Sequence, residues 1–336
     1  MAVAPPVTIV IVTLDGVRWH EVFEGVDPKL ADSHGLSAND VVSAADLMPN
    51  LHAIVATHGA ALGAPGHGAA ISASGPNFVS LPGYAELLSG KRATSCRDNQ
   101  CANAGTRTIV DEFAGSVGDG SEVAVITSWA DIARVASTRS PGSAVSSGRH
   151  GGATRDVFLR DPEDGPFLVR AEDVAPAPGN GDFRPDALTA ELAIHHLKVH
   201  PPKFLFLGLG EPDEFGHQNN YAGYLNALRQ ADARIGEIDR ELQQLAARGT
   251  RTALFVTADH GRADSFVEHG AKFPESARVW LVAGGSALHA SGFVAAPSPR
   301  RLADLVPTVR AIAGLPRDMD TAAGTPLDEL LHETRF

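Results

Sequence analysis

Carboxylates, imidazoles and one hydroxyl recur in this chain in short motifs that could hold metal ions. Asp15 closes the run VTIVIVTLDG, and Ser80 stands in FVSLPGY. Asp213 and His217 lie four apart in GEPDEFGH, Asp259 and His260 are adjacent in TADHG, and His269 follows in EHGAKF. Asp and His are ligands that zinc accepts, and manganese or iron could use them too. With one further oxygen they suffice for two ions. A serine hydroxyl is a poor nucleophile at neutral pH, and a divalent cation beside it lowers its pKa and orients it. Taken one at a time, each residue has an ordinary role. Asp15, Asp259 and Ser80 could cap helices or close turns, and His217 or His269 could be hydrogen-bonded surface histidines. What argues against coincidence is recurrence at successive strand ends.

Those ends follow from the pattern of the chain. VTIVIVTLDG, EVAVITSW, KFLFLGLGEPD, TALFVTADHG and ARVWLVAGG read as buried strands. LMPNLHAIVATHGA, DALTAELAIHHLKVH and YLNALRQADARIGEIDRELQQLAAR have helical spacing. NFVSLPGYAELLSG should begin extended, break at Pro82 and continue as a short helix ended by Gly90, and RRLADLVPTVRAIAGL should form a closing helix kinked or broken by its proline. Alternation of strand and helix predicts an α/β fold: a mostly parallel central sheet with helices on both faces. Such sheets bind ligands beyond the carboxyl ends of their strands, where Asp15, Asp213 and Asp259 fall. The segment 134–182 is rich in Ser, Gly, Pro and Arg and reads as an irregular insertion or cap within one domain spanning 1–336.

In this order the motifs resemble the alkaline phosphatase superfamily, closest in layout to its nucleotide pyrophosphatase/phosphodiesterase branch. The pattern is Asp-Gly after the first strand, a hydroxyl residue two before Pro, Glu-Pro-Asp-x-x-x-Gly-His, Asp-His-Gly, then His-Gly before a strand. The resemblance implies two zinc ions, one on Asp15, Asp259, His260 and the Ser80 oxygen, the other on Asp213, His217 and His269, with His289 the rival to His269. It also implies Ser80 as nucleophile, passing through a phosphoserine. Asn99 would bind phosphoryl oxygens, with Asn103 as rival, and Arg97 could pair with a terminal phosphate. The branch commonly uses Thr where Ser80 stands. Sulfatases, and related phosphonate ester hydrolases, place Arg four residues after the modified Cys or Ser; here that position is Tyr84. These points favour a phosphomonoesterase slightly, with a phosphodiesterase or nucleotide pyrophosphatase as the alternative. A sulfatase, a phosphomutase and a non-catalytic metal-binding protein rank lower, the mutase because the chain is short for the large inserted domain of those enzymes. Arg134, Arg139, Arg149 and Arg155 could line the substrate side. His20, His67, His195 and His196 are left as structural or surface residues.

Composition narrows the partners. A net charge of −12 argues against a nucleic-acid duplex, yet bound cations can reverse the local field for a small phosphorylated substrate. No run is apolar enough to span a bilayer, and no signal-peptide pattern precedes the first strand. Cys96 and Cys101, the two cysteines, are read as a short disulfide rather than two free thiols. Together with the habits of the family, that favours export to the periplasm or exterior. Alkylation without reductant is therefore expected to leave the mass unchanged, and reduction first should give two adducts per chain. Two adducts before reduction would show free thiols.

Overall fold

β-branched and aromatic runs form strands here because both faces of a largely parallel sheet are covered. The computed structural model describes residues 6–102, 106–116, 122–136, 143–151, 158, 161–289 and 292–331. In chain order its strands are β1 (Val7–Leu14), β2 (Gly59–Leu62), β3 (Ile71–Ser72), β4 (Val123–Thr127), β5 (Ala144–Ser147), β6 (Phe204–Leu209), β7 (Arg251–Thr257), β8 (Arg278–Val279), β9 (Leu281–Gly284), β10 (Gly292–Phe293) and β11 (Arg300–Arg301). The main sheet runs β10-β2-β9-β7-β1-β6-β4-β5, and β11-β3-β8 form a small second sheet. In the main sheet β9 is antiparallel to both neighbours and every other pairing is parallel. At its centre β7, β1 and β6 lie side by side. Thr13 pairs with both Thr257 and Gly208, so the three strands end level.

Helices flank this sheet in two groups. Pro49–Thr57, Asp186–Val199 and the 27-residue Tyr221–Ala247 pack together. Ser80–Ser89, Ile109–Ala114 and Leu305–Ala313 make the other group. The expected α/β architecture is thus the observed one.

Local expectations differ in three places. Pro82 does not break the chain: the helix starts at Ser80, and Pro82 sits in its first turn, where no backbone N–H is needed. Pro307 likewise sits in the first turn of Leu305–Ala313. ARVWLVAGG is two strands, because Trp280 separates β8, which pairs with β3, from β9, which joins the main sheet. The segment 134–182 is not wholly irregular. It contributes β5, the edge strand paired with β4, and the Gly165–Glu172 helix. Arg139 and Arg155 lie outside the described residues.

One buried carboxylate joins two helices. Asp232, on the long helix, accepts from the N–H of Asn50, the N–H of Leu51 and the Asn50 amide, at 2.8 to 3.0 Å. It thereby caps the Pro49–Thr57 helix from outside, which begins with no side-chain cap of its own. Asp232→Ala is expected to lower unfolding stability by about 1–3 kcal/mol, read from denaturant midpoints at constant slope. An unchanged midpoint would show that water replaces the carboxylate without loss.

Candidate metal-dependent active site

Three level strand ends bring three carboxylates together. Asp15 follows β1 and its N–H donates to the Leu209 carbonyl at the end of β6, at 2.9 Å. Asp259 follows β7, and its Oδ1 accepts from the Gly16 N–H at 3.1 Å. Asp213 lies in the first turn of the Glu211–His217 helix, directly after β6. Gly16 is required at this junction. Its φ is +62°, and a Cβ there would lie 2.2 Å from Asp213 Oδ1.

The side chains form two donor sets. Carboxylate oxygens of Asp15 and Asp259 and a nitrogen of His260 lie within 4.8 Å of one another, and so do the donors of Asp213, His217 and His269. The first set is buried. The second opens outward, with the His217 side chain 48% exposed. His260 and His269 stack with ring centroids 4.1 Å apart, which joins the sets. His289, the rival to His269, is exposed and belongs to neither set.

Ser80 is buried at the first turn of its helix, where the dipole favours an anion. Its Oγ lies 3.4 Å from both Asp15 Oδ1 and His260 Nε2. Gly83, one turn on, lets the helix approach, since a Cβ there would stand 2.4 Å from the Asp259 carbonyl oxygen. Asn99 comes to the same helix end: its Oδ1 accepts from the Leu81 N–H at 3.0 Å, leaving Nδ2 as the donor it can offer. The loop carrying Asn99 is closed by the Cys96–Cys101 disulfide. Arg134 also holds it, donating to the carbonyls of Asn99 at 3.4 Å and Gln100 at 2.6 Å. Arg97 is exposed on this loop and lines a cleft of about 530 Å³ that also touches Phe78, Pro82, Glu86 and Asp259. Asn103 lies outside the described residues. Arg149 donates to the Val174 and Gly181 carbonyls, so it serves its own segment.

The electrostatics fit bound cations. Burial first, then the charges of Asp259 and Asp213, push the Asp15 carboxyl well above its usual range. Burial and Asp213 do the same to Asp259. For Asp213 burial is outweighed by Arg262, His217 and His269, which hold its carboxyl well below the usual range. Burial, followed by His269, keeps His260 neutral by lowering its pKa well below normal. Its Nδ1–H donates to the Gly261 carbonyl at 2.8 Å, so Nε2 presents a lone pair to the carboxylates. The Nδ1–H of His269 donates to the Phe78 carbonyl at 2.9 Å, and its Nε2 faces His217 Nε2 at 3.2 Å. Asp259 Oδ2 is buried without any hydrogen-bond partner. An orphaned carboxylate oxygen among inward-facing imidazole lone pairs is what a cation would satisfy.

Arg262, Tyr84 and Asp186, none of them assigned to the site by motif or spacing, support these ligands. Arg262 is buried and donates to Asp213 Oδ1 and to the Phe266 and Val267 carbonyls. Its position two residues after His260 gives no signal of that. Tyr84 is fully buried, and its hydroxyl donates to Asp15 Oδ2 at 3.1 Å. Its spacing of four from Ser80 was a usable signal, since i and i+4 share a helix face. Asp186 accepts from the Gly210 and Glu211 N–H groups while Glu211 accepts from the Asp186 N–H, all at 2.9 Å, which fixes the turn that presents Asp213.

Comparison with known proteins agrees with this architecture. A family model described as Metalloenzyme superfamily matches residues 181–296. A 2,3-bisphosphoglycerate-independent phosphoglycerate mutase of Thermomicrobium roseum is 28% identical over 176 residues, 48% of this chain and 31% of that protein. The chain thus matches about a third of the length of this curated relative. Among solved structures, a mutant of the alkaline phosphatase PafA superposes with TM-score 0.61 at 11% identity, covering 99% of this chain and 100% of that one. The phosphonate monoester hydrolase of Silicibacter pomeroyi gives 0.54 at 15% identity, covering 96% and 76%. Fold and donor sets define an α/β protein with candidate metal-binding clusters, part of which matches the metalloenzyme family model. More narrowly, the fold is similar to that of proteins of the alkaline phosphatase superfamily, the resemblance its motif order implied.

Because the Tyr84 hydroxyl orients one ligand, Tyr84→Phe should weaken metal retention by about 10–100-fold, measured by competition with a chelator. The far-UV spectrum should not change. Undiminished retention would show that Asp15 needs no such support.

Proposed function

We propose that the protein is a two-metal phosphoric ester hydrolase acting through a phosphoserine on Ser80, with monoesters preferred. The observation that carries this reading is the buried Ser80 Oγ at a helix N-terminus, 3.4 Å from Asp15 and His260, with the second donor set stacked against the first. Asp15, Asp259, His260 and the Ser80 oxygen would hold one zinc, and Asp213, His217 and His269 the other. Divalent cations there lower the pKa of an adjoining hydroxyl and offset charge on phosphoryl oxygens.

The chain's own residues do the rest. Ser80 Oγ loses its proton along its hydrogen bond toward Asp15 Oδ1 and attacks phosphorus. The Oγ–P bond forms as the bond to the leaving oxygen breaks, and the leaving group takes up a proton from solvent. Water then attacks the same phosphorus as the Oγ–P bond breaks; phosphate leaves with one proton of that water, the other passes to solvent, and Asp15 returns its proton to Oγ. Asn99 Nδ2 donates to a phosphoryl oxygen, and Arg97 reaches a terminal phosphate. A monoester carries one more negative charge than a diester, so a cationic side chain at the rim favours it.

A second reading, phosphodiesterase or nucleotide pyrophosphatase, is favoured by the cleft beside Asp259, which has room for a second substituent. Sulfate esters rank lower because Tyr84 holds the position of the sulfatase Arg and is engaged with Asp15. A phosphomutase reading rests on the curated relatives. The Cys96–Cys101 bond supports an oxidising, exported location.

Metal-loaded protein should turn over p-nitrophenyl phosphate faster than the bis-ester, and both faster than the sulfate. Ser80→Ala should lower turnover by about 10³-fold or more. Faster bis-ester cleavage would favour the diesterase, and interconversion of phosphoglycerates the mutase. Full activity in Ser80→Ala would remove Ser80 from its role, and no turnover of any ester would indicate a metal-binding protein without catalysis.

A further inference from the structure

A third donor cluster lies away from this centre. The helix Asp186–Val199 starts at the Asp213 turn and ends, about 20 Å away, at His200. There it meets the turn before the Gly165–Glu172 helix, which carries Asp161 and Asp164. Ligand atoms of Asp161, Asp164 and His200 lie within 4.8 Å of one another.

Hydrogen bonds leave two buried polar atoms of these residues unserved. Asp161 Oδ1 accepts from the N–H groups of Glu163 at 2.8 Å and Asp164 at 3.2 Å, which fixes the carboxylate and leaves Oδ2 toward His200. His200 Nε2 stands 2.8 Å from that oxygen. Yet this nitrogen is buried and makes no hydrogen bond of acceptable geometry. Asp164 is only 1% exposed. Its Oδ2 pairs with Nδ1 of the equally buried His196 at 2.7 Å, while Oδ1 has no partner. A simple set of ion pairs does not account for this. The pairing with His196 serves Asp164 Oδ2 and leaves Oδ1 bare, which costs free energy in a buried site. His200 Nε2 is close to the Asp161 carboxylate but misaligned with it.

We propose that Asp161, Asp164 and His200 bind a divalent cation of the zinc class, separate from the two candidate catalytic ions. Two carboxylates and one imidazole suit such an ion and leave a position for water. His196 orients Asp164, as ligating carboxylates are held in other metal sites. The ion clamps the turn before Gly165–Glu172 onto the end of Asp186–Val199, so its role is structural. Its presence does not depend on the reaction proposed for Ser80.

The test is zinc stoichiometry of full-length protein stripped with chelator, reloaded with zinc and desalted. The double variant Asp161→Asn/His200→Gln should hold one zinc fewer per chain than wild type. The single variant His200→Gln, at a partly exposed position, guards against misfolding of the double variant and should lose the same ion. Excess zinc should raise the melting temperature of wild type more than that of either variant, and crystals should show an anomalous peak at the zinc edge beside His200. Equal stoichiometry in wild type and His200→Gln, or no peak at this cluster while the other donor sets are filled, would overturn the proposal. Neither result bears on the esterase reading, since Ser80 and its neighbours are unaltered.

Discussion

Three carboxylates buried at the ends of three adjacent parallel strands are the constraint around which this molecule is arranged. The order β7-β1-β6 puts Asp259, Asp15 and Asp213 shoulder to shoulder. Burial disfavours ionisation of Asp15 and Asp259 most, and neighbouring carboxylate charge adds to it: Asp259 and Asp213 act on Asp15, and Asp213 acts on Asp259. Among the described residues, the buried cation that pairs with one of them is Arg262, on Asp213. The charge left on Asp15 and Asp259 is met by dipoles, from the Tyr84 hydroxyl and the Gly16 N–H. Dipoles reduce such a cost without removing it, so the strand ends form a cation site by electrostatics as well as by donor type.

The surrounding helices act as struts for that cluster. The Ser80 helix is tied down through Glu86, a buried residue whose carboxylate accepts from Ser74 at 2.7 and 2.8 Å and from the Ala303 N–H at 3.2 Å. One helical turn separates Ser80 from Tyr84, so a single rigid element carries both the hydroxyl and the group that orients Asp15. Glycine at position 83 lets this helix rest on the Asp259 backbone. On the opposite flank, Asp186 and Glu211 cap one another's helices and set the angle at which Asp213 and His217 leave β6. Core packing and site geometry are therefore hard to vary independently. That offers one physical reason why a chain only 11–16% identical to known structures superposes on them over nearly its full length.

Much of this was legible from the sequence, for identifiable reasons. The central strands are continuous apolar runs, and their polar terminators announce where each stops. Asp15, Asp213 and Asp259 could be assigned to one rim on that basis. His217 and His260 followed by spacing, and His269 by the motif order of the superfamily that the chain resembles. What was not legible depends on long-range packing. Strands β2, β3, β5, β10 and β11 span two to four residues, too short for a period to register. β5 was read into an irregular segment because its four residues sit among Ser and Gly. Pro82 misled because a proline in a first turn and a proline that ends a helix look alike until the N-terminus is known. Arg262 and Asp186 could not be found because their partners lie 49 and 25 positions away.

The two donor sets differ in depth, and the difference has a chemical consequence. Asp15, Asp259 and His260 are sealed, with His260 locked by the Gly261 carbonyl, so the atoms beside Ser80 are held before any substrate arrives. Preorganisation of this kind is where electrostatic catalysis gains most, because no dipole must turn during reaction. Asp213 is buried too, and so is most of the His269 side chain, but its other imidazole partner, His217, meets solvent. A group entering from solvent meets the outer set first, while the hydroxyl waits on the inner one. In an in-line displacement the attacking and departing oxygens lie on opposite sides of phosphorus. In the proposed hydrolysis the inner set serves Ser80, and the outer set faces both the leaving group and the water that later replaces it. One open side then suffices for substrate entry, departure of the alcohol and arrival of water, and the sheet beneath need not move.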